Sequence, residues 1–251
     1  MNQKGISQEG LKLIACLTML IDHIGAAIVY GMYLAAYTAG DYAVSNALVP
    51  VYRAMRIIGR IAFPIYCFLL VEGAHHTRDP RKYALRLAIG LVLSEIPFDL
   101  AFTGALDWES SSVMVTLLLG YGMILSMNRL EGFGKLLAVV PFFLLAEWLR
   151  TDYAGNGIAI IAMLALTKGR PNETWLRAAC MAVLLWFGAT ITIGGVTVPI
   201  EIFGLAALVP ISLYQGKKRT YSRWAQWAFY LFYPVHLTAL WLLRTAMGLP
   251  Y

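Results

Sequence analysis

The sequence predicts an all-α protein, a polytopic bundle of transmembrane helices. Three observations lead to this prediction. The 251 residues are 59% hydrophobic and only 14% charged, the mean hydropathy is +0.66, and apolar stretches recur along the whole chain with short loops between them. A bilayer core about 30 Å thick requires roughly 20 apolar residues per helix. We therefore expect one membrane domain, residues 1–251, embedded in a lipid bilayer.

The apolar stretches divide into nine candidate helices. In chain order they are Leu11–Tyr33, Arg56–Ala74, Tyr83–Thr103, Val113–Met127, Gly134–Leu149, Ala154–Thr167, Thr174–Ile193, Val198–Tyr214 and Trp224–Met247. The fourth and sixth are short for a complete span, so they fit tilted or re-entrant segments. The first apolar run continues to Tyr37 without a clean cleavage site of small residues, which favours a retained helix over a signal peptide.

Loop charges predict the orientation of the bundle. One set of termini and loops is rich in basic residues, namely Lys4, Lys12, Arg78, Arg81, Lys82, Arg86, Arg129, Lys135, Lys168, Arg170, Arg177, Lys217, Lys218, Arg219 and Arg223. The other set holds only Arg53, Arg56, Arg150 and Arg244, together with the acidic Asp107 and Glu109. Because basic loops stay on the cytoplasmic side, we expect a cytoplasmic amino terminus and a multi-pass protein of the plasma or inner membrane.

Several other classes of protein fit poorly. The net charge of +6 is spread over several loops rather than gathered on one face, so it does not indicate a nucleic-acid partner. Cys16, Cys67 and Cys180 fall inside apolar stretches without paired spacing, and no histidines cluster beside them, so we expect no metal site. The two halves of the chain do not match in inverted topology, which disfavours a carrier.

Ionisable residues lie near the midplane of three helices that run in the same direction. His23 lies about 18 Å above the start of the first helix at 1.5 Å per residue, and Glu95 and His236 reach the same level on the third and ninth helices. A histidine can accept and then donate a proton near neutral pH. Since no nucleophile motif is recognisable in the chain, we expect His23 to activate a nucleophile that arrives with a substrate.

Charged neighbours accompany this layer. Asp22 points about 100° away from His23 around the helix, so we expect it to brace a neighbouring helix rather than pair with His23. Arg60 is the natural counter-charge for Asp99 or Asp22, and an Asp99–Arg60 pair is equally compatible with a structural and a reactive role. Lys12 lies on nearly the same helix face as His23, about 16 Å below it, which suits a long cofactor with an anionic head. A lysine there is also an ordinary orientation signal.

Short segments along the chain carry a family resemblance. They are Lys12–Ala15, Met19–Gly25, Gly59–Pro64 continuing to Glu72-Gly73, His76-Thr77 with Tyr83 and Arg86, Ser94–Asp99, Asp152-Tyr153 and Tyr233–His236. In this order and spacing they resemble the TraX family of membrane proteins, named for a conjugative-pilus acetyltransferase and related to the multi-span membrane acyltransferases. The resemblance covers nearly the whole chain. Ser112 is a departure, since an Asn commonly precedes Val113 in the family.

The resemblance implies transfer of an acyl group from cytoplasmic acetyl-CoA or another acyl-CoA to an amine or hydroxyl acceptor. That acceptor would be a peptide amino terminus, a glycan or a small molecule. In this reading His23 deprotonates the acceptor or carries the acyl group itself, Arg60 stabilises the oxyanion, and Asp22 and Glu95 orient His23. The complete expected catalytic set is His23, Asp22, Arg60, Glu95, Asp99 and His236. The residues expected to hold the CoA are Lys12, Arg78, Arg81, Lys82 and Arg86.

Two alternatives stay open at the level of sequence. A proton-coupled transporter or flippase would also use midplane histidines and carboxylates. A catalytically silent assembly partner would use the same polar layer only to hold its helices together.

Overall fold

A computed structural model describes residues 5–107, 109–186, 188–193, 195–216 and 223–251, with the side chains of 193 and 223–227 outside the description. Lys4 and Lys217–Arg219 of the basic set lie outside the described residues. The α-helices are α1 Gln8–Ile24, α2 Tyr30–Thr38, α3 Tyr42–Gly59, α4 Ala62–His76, α5 Pro80–Phe102, α6 Val113–Met127, α7 Gly134–Leu137, α8 Val139–Trp148, α9 Ala154–Thr167, α10 Glu173–Leu184, α11 Leu208–Ser212 and α12 Arg223–Ala246. A π-helical turn, Gly25–Val29, joins α1 to α2, so the chain is mainly helical, as expected.

The first two apolar segments are longer than the sequence predicts. Helix α1 starts where the Ser7 side chain accepts a hydrogen bond from the backbone N–H of Gly10 at 3.2 Å, and the helical path continues to Thr38. Residues Gln8–Thr38 and Tyr42–His76 are each long and apolar enough to cross a membrane, by length and composition.

Two helix breaks have one physical cause. The segment Tyr42–His76 is interrupted at Arg60 and Ile61, between α3 and α4. Pro64 lacks the N–H that would bond to the Arg60 carbonyl, so one hydrogen bond of the helical ladder is missing at this point and the break is favoured there. Pro141 stands in the same relation to Leu137, where the predicted helix Gly134–Leu149 is divided into α7 and α8.

The fourth and sixth predicted helices have the predicted bounds, Val113–Met127 and Ala154–Thr167. Helix α5 begins at Pro80, where the Asp79 side chain accepts a hydrogen bond from the backbone N–H of Lys82 at 3.0 Å. Proline suits the first turn of a helix because its missing N–H has no partner there in any case.

The seventh and eighth predicted spans, Thr174–Ile193 and Val198–Tyr214, are wrong as continuous helices. Helix α10 ends at Leu184, and the chain then forms an antiparallel hairpin of β1, Thr190–Ile193, and β2, Val196–Pro199. The alternating β-branched residues favour strands, and Gly195 has the positive φ of +85° that a tight turn requires. After β2 the chain continues in a 3-10 helix, Ile200–Ala207, and then α11.

The packing places the helices around α1. Helix α1 lies against α3 and α4, α12 packs along α5 and also contacts α1, and α4 packs on α6 and α9. At one end of the bundle the ion pair between Lys168 and Glu72, 2.5 Å, joins α9 to α4. At the other end Ser111 and Thr151 form an isolated parallel bridge. The polar layer of α1 lies between these ends.

Candidate functional site

A pair of histidines joins α1 to α12. His23 Nδ1 and His236 Nε2 are 2.7 Å apart, and the two rings are nearly parallel, with 5.0 Å between centroids and an interplanar angle of 13°. His236 Nδ1 lies 2.6 Å from the carbonyl oxygen of Phe232, one turn earlier on α12. Two members of the predicted polar layer are therefore in direct contact.

The hydrogen bonds fix which nitrogen of each neutral ring carries the proton. The Phe232 carbonyl can only accept, so His236 Nδ1 donates to it and His236 Nε2 is left as an acceptor. His23 Nδ1 must then donate to His236 Nε2. The remaining nitrogen, His23 Nε2, keeps its lone pair and has no hydrogen-bond partner among the described residues. This is the arrangement of a base whose second nitrogen is held by an orienting group.

Asp22 forms ion pairs with two arginines of the neighbouring helical segment, Arg56 and Arg60, and these three residues are called the clasp below. Its carboxylate oxygens accept hydrogen bonds from Arg56 at 2.5 Å and from Arg60 at 2.9 Å. Arg60 also donates to Glu201 in the 3-10 helix, at 2.8 Å. The approach is close because Gly59 has no side chain, and a Cβ there would collide with the Asp22 carboxyl group. The predicted pairing of Arg60 with Asp22 is confirmed, and Asp22 braces a neighbouring helix rather than contacting His23.

A cavity of about 200 Å³ opens beside this clasp, and its walls include His23, Asp22, Arg56, Arg60, Asp152 and Tyr153. Tyr153 is stacked on Phe63, with 3.6 Å between ring centroids and an interplanar angle of 5°. Asp152 lies in the turn between α8 and α9. Loss of solvent around its carboxyl group raises its pKa to about 6, although the nearby Arg60 and Arg56 act in the opposite direction. The site therefore combines an imidazole, two guanidinium groups and the carboxyl groups of Asp22 and Asp152.

Two of the predicted catalytic carboxylates have other partners. Glu95 accepts hydrogen bonds from the backbone N–H and the hydroxyl of Ser112, at 3.1 and 2.7 Å, and it does not contact His23. Asp99 accepts from the backbone N–H of Asp107 at 3.1 Å and pairs with no arginine of the described chain. The expected Asp99–Arg60 pair is absent because Asp22 and Glu201 occupy Arg60. Ser112, the departure from the family pattern, thus supplies both donors to Glu95.

The residues expected to bind CoA are divided. Arg78, Lys82 and Arg86 line a second cavity of about 710 Å³, with His76 and Tyr214 among the other walls. Arg81 is not one of its lining residues. Lys12 lines neither cavity, and its Nζ lies 5.2 Å from the centroid of the Phe229 ring.

Four residues of the first site were missed as candidates. Arg56 precedes Arg60 by four residues and so shares its helix face. This spacing could have identified Arg56, but the residue was grouped with the loop charges. Glu201 is an acid within an apolar stretch, the same anomaly that drew attention to Asp22 and His23. Asp152 and Tyr153 belong to the segments that carry the family resemblance, but no chemistry was assigned to them. Within the described part of the chain, no three His, Cys, Asp or Glu side chains are grouped to hold a metal ion.

The fold and site define a helical, membrane-associated protein with a buried histidine pair beside a two-arginine clasp. The family model described as TraX protein matches residues 7–244, so the chain belongs to the TraX family. It is also 28% identical to the probable fimbrial assembly protein FimC of serogroup H1 from Dichelobacter nodosus, over 92% of each chain. No solved structure matches the chain significantly.

Proposed function

We propose that this chain is an acyl-CoA-dependent acyltransferase that spans the cytoplasmic membrane several times. It transfers an acetyl or other acyl group to an amine or hydroxyl acceptor, with His23 as the general base. The observation that carries the proposal is the pair of hydrogen-bond contacts, His23–His236 and His236–Phe232, from which the tautomer of each ring follows. His23 Nε2 keeps its lone pair, and His23 forms part of the wall of a cavity, so an acceptor bound there can lose a proton to it.

The proposed reaction balances without a further reagent. His23 Nε2 takes the proton of the acceptor N–H or O–H while the acceptor atom attacks the thioester carbonyl carbon. The C=O electron pair moves onto oxygen, then returns as the C–S bond breaks. The leaving thiolate takes the proton back from His23. During the protonated stage His23 Nδ1 still donates to His236 Nε2, which stabilises the imidazolium.

The two arginines supply positive charge for the oxyanion. A guanidinium has five N–H donors, and Arg60 uses one each for Asp22, Glu201 and the Arg56 carbonyl. Arg56 has a partly accessible side chain, 25% exposed, and a single carboxylate partner among the described residues. Arg56 is therefore better placed than Arg60 to offer free donors to a developing negative charge in the cavity.

The second cavity is the proposed site for the phosphate-bearing part of acyl-CoA. Arg78, Lys82 and Arg86 supply three positive charges to its walls, against the carboxylates of Glu72 and Asp79, and guanidinium groups match phosphate geometry well. The basic residues at this end favour the cytoplasmic side of the membrane. With the seventh and eighth helices replaced by the hairpin and the 3-10 segment, seven of the nine predicted spans remain, and this odd number keeps the proposed cytoplasmic amino terminus. The name of the fimbrial relative fits an acceptor that belongs to a surface filament.

A proton-coupled transporter is the second candidate. His23, His236 and Asp152 lie at one site, and such groups also relay protons in transporters. The two candidates differ in whether CoA thiol is released. A transporter moves solute into proteoliposomes in a His23-dependent manner and liberates no thiol.

The test uses the purified full chain with acetyl-CoA and candidate acceptors, and it follows free thiol and acylated product. His23→Ala is expected to remain folded, to retain acetyl-CoA binding and to lose activity by on the order of 10²- to 10⁴-fold, the usual contribution of a general base. His75→Ala, at an exposed histidine, is the matched control and should retain activity. Loss of folding without a specific loss of chemistry would instead support the silent assembly role.

A further inference from the structure

The charges around the first cavity leave one carboxyl group without a partner among the described residues. Arg56 and Arg60 are matched by Asp22 and Glu201 through ion pairs of 2.5 to 2.9 Å. The Asp152 backbone N–H donates to the Ser111 carbonyl at 3.0 Å. Its carboxyl group, however, forms no hydrogen bond or ion pair with any described residue, and Asp152, an exposed residue, forms part of the cavity wall. A carboxylate in a cavity wall that has no protein partner is free to accept a hydrogen bond from a ligand.

The turn that carries Asp152 is held in an unusual conformation. Arg150 and Ala154, two residues before and after it, have φ values of +48° and +44°. The left-handed region is costly for residues other than glycine and persists only where the surroundings enforce it. Here the bridge between Ser111 and Thr151 and the stacking of Tyr153 on Phe63 hold the turn in place. The carboxyl group is therefore presented to the cavity by a rigid turn.

We infer that Asp152 is the acceptor-binding residue of this cavity, accepting a hydrogen bond from the group whose nucleophilic atom His23 deprotonates. The inference rests on the proposed acyltransferase function and identifies the recognition group of the same site. It also limits the acceptor, which must offer two donors within this cavity of about 200 Å³, one for His23 Nε2 and one for Asp152. A primary amine carries both on one nitrogen, whereas an alcohol needs a neighbouring hydroxyl group.

Binding can be measured without turnover. The full chain carrying His23→Ala is titrated calorimetrically with two probes, alaninamide for the amine and methyl glucoside for the neighbouring hydroxyls. At least one probe is expected to bind, and the identity of that probe distinguishes the two kinds of acceptor. Adding Asp152→Asn should weaken its binding about ten- to hundredfold, as loss of a hydrogen bond to a charged group does. Adding Glu109→Gln instead, at a side chain that is 85% exposed, should leave binding unchanged.

A second measurement requires no change at Asp152. Between pH 7.5 and pH 5 the carboxyl group becomes protonated, because its pKa is about 6, so binding should weaken at the lower pH. The groups that face it are Arg56 and Arg60, which stay charged, Asp22 and Glu201, which are held in ion pairs, and the Tyr153 phenol.

The outcomes separate the two proposals. Unchanged affinity in Asp152→Asn together with no pH dependence would overturn the inference, and so would failure of both probes to bind. If binding depends on Asp152 but the unsubstituted chain never releases thiol from acetyl-CoA, the inference stands and the acyltransferase proposal fails. If the chain is active, Asp152→Asn should raise the KM for the acceptor and leave the KM for acetyl-CoA unchanged.

Discussion

Replacing Asp22 by Asn tests the clasp that joins α1 to α3. The carboxylate is buried, with 6% of the residue exposed, and it accepts one hydrogen bond from each of Arg56 and Arg60. Removing one partner of a buried ion pair generally costs about 3–5 kcal/mol, because a charge is left uncompensated. Arg60 keeps Glu201, and the partly exposed Arg56 regains some hydration. We therefore expect Asp22→Asn to lower the free energy of unfolding by about 3 kcal/mol, near the lower limit of that range.

The assay is reversible denaturant unfolding of the purified chain in detergent micelles, followed by circular dichroism. Arg56→Gln alone should cost about 1 kcal/mol, because Asp22 keeps its bond to Arg60. The double variant should cost less than the sum, with a coupling energy of about 1 kcal/mol or more. Glu109→Gln is the surface control. A loss below about 1 kcal/mol for Asp22→Asn, with additive behaviour in the double variant, would refute the buried clasp.

Two further predictions concern the same region. Gly59→Ala should destabilise the fold by about 1–3 kcal/mol, since a Cβ there collides with Asp22. Gly134→Ala is the control, because it adds only an ordinary contact of 3.4 Å to Leu130. Equal free energies of unfolding for these two variants would contradict the close approach of Gly59 to Asp22. The pKa of Asp152 is raised from 3.8 to about 6 in the folded chain. Between pH 3.8 and about pH 6 the folded chain therefore holds a proton at Asp152 that the unfolded chain has lost. The free energy of unfolding should fall as the pH rises through this window. Asp152→Asn should remove this part of the pH profile, and an unaltered profile in thermal melts would show that the carboxyl group does not titrate there.

The sequence was sufficient for features that depend on local pattern. The bounds of α6 and α9 follow from apolar runs with clear ends, and the shared level of His23 and His236 follows from counting helical rise. The hairpin was missed because its alternating Thr, Ile and Val residues are as apolar on average as a helix. Its period of two is visible over only four residues in each strand.

The partner of Glu95 was missed for a different reason. Its contact with Ser112 joins separate elements, and it depends on how α5 is rotated about its axis. Helical rise fixes the height of a side chain in the bundle, but it does not fix that rotation. Residues at one level are therefore candidates for contact, and the sequence alone cannot select among them.

The neighbouring positions of Asp22 and His23 explain how the His23 imidazole is held in place. Consecutive residues of a helix point about 100° apart, so Asp22 reaches the arginines of α3 while His23 reaches His236 on α12. Two contacts in different directions, made at one level of α1, fix both the rotation and the lateral position of that helix. Asp22 then acts on the His23 imidazole through geometry, without touching it. A buried charged clasp contributes little net stability compared with apolar packing, which favours positioning of the His23 imidazole as its main role.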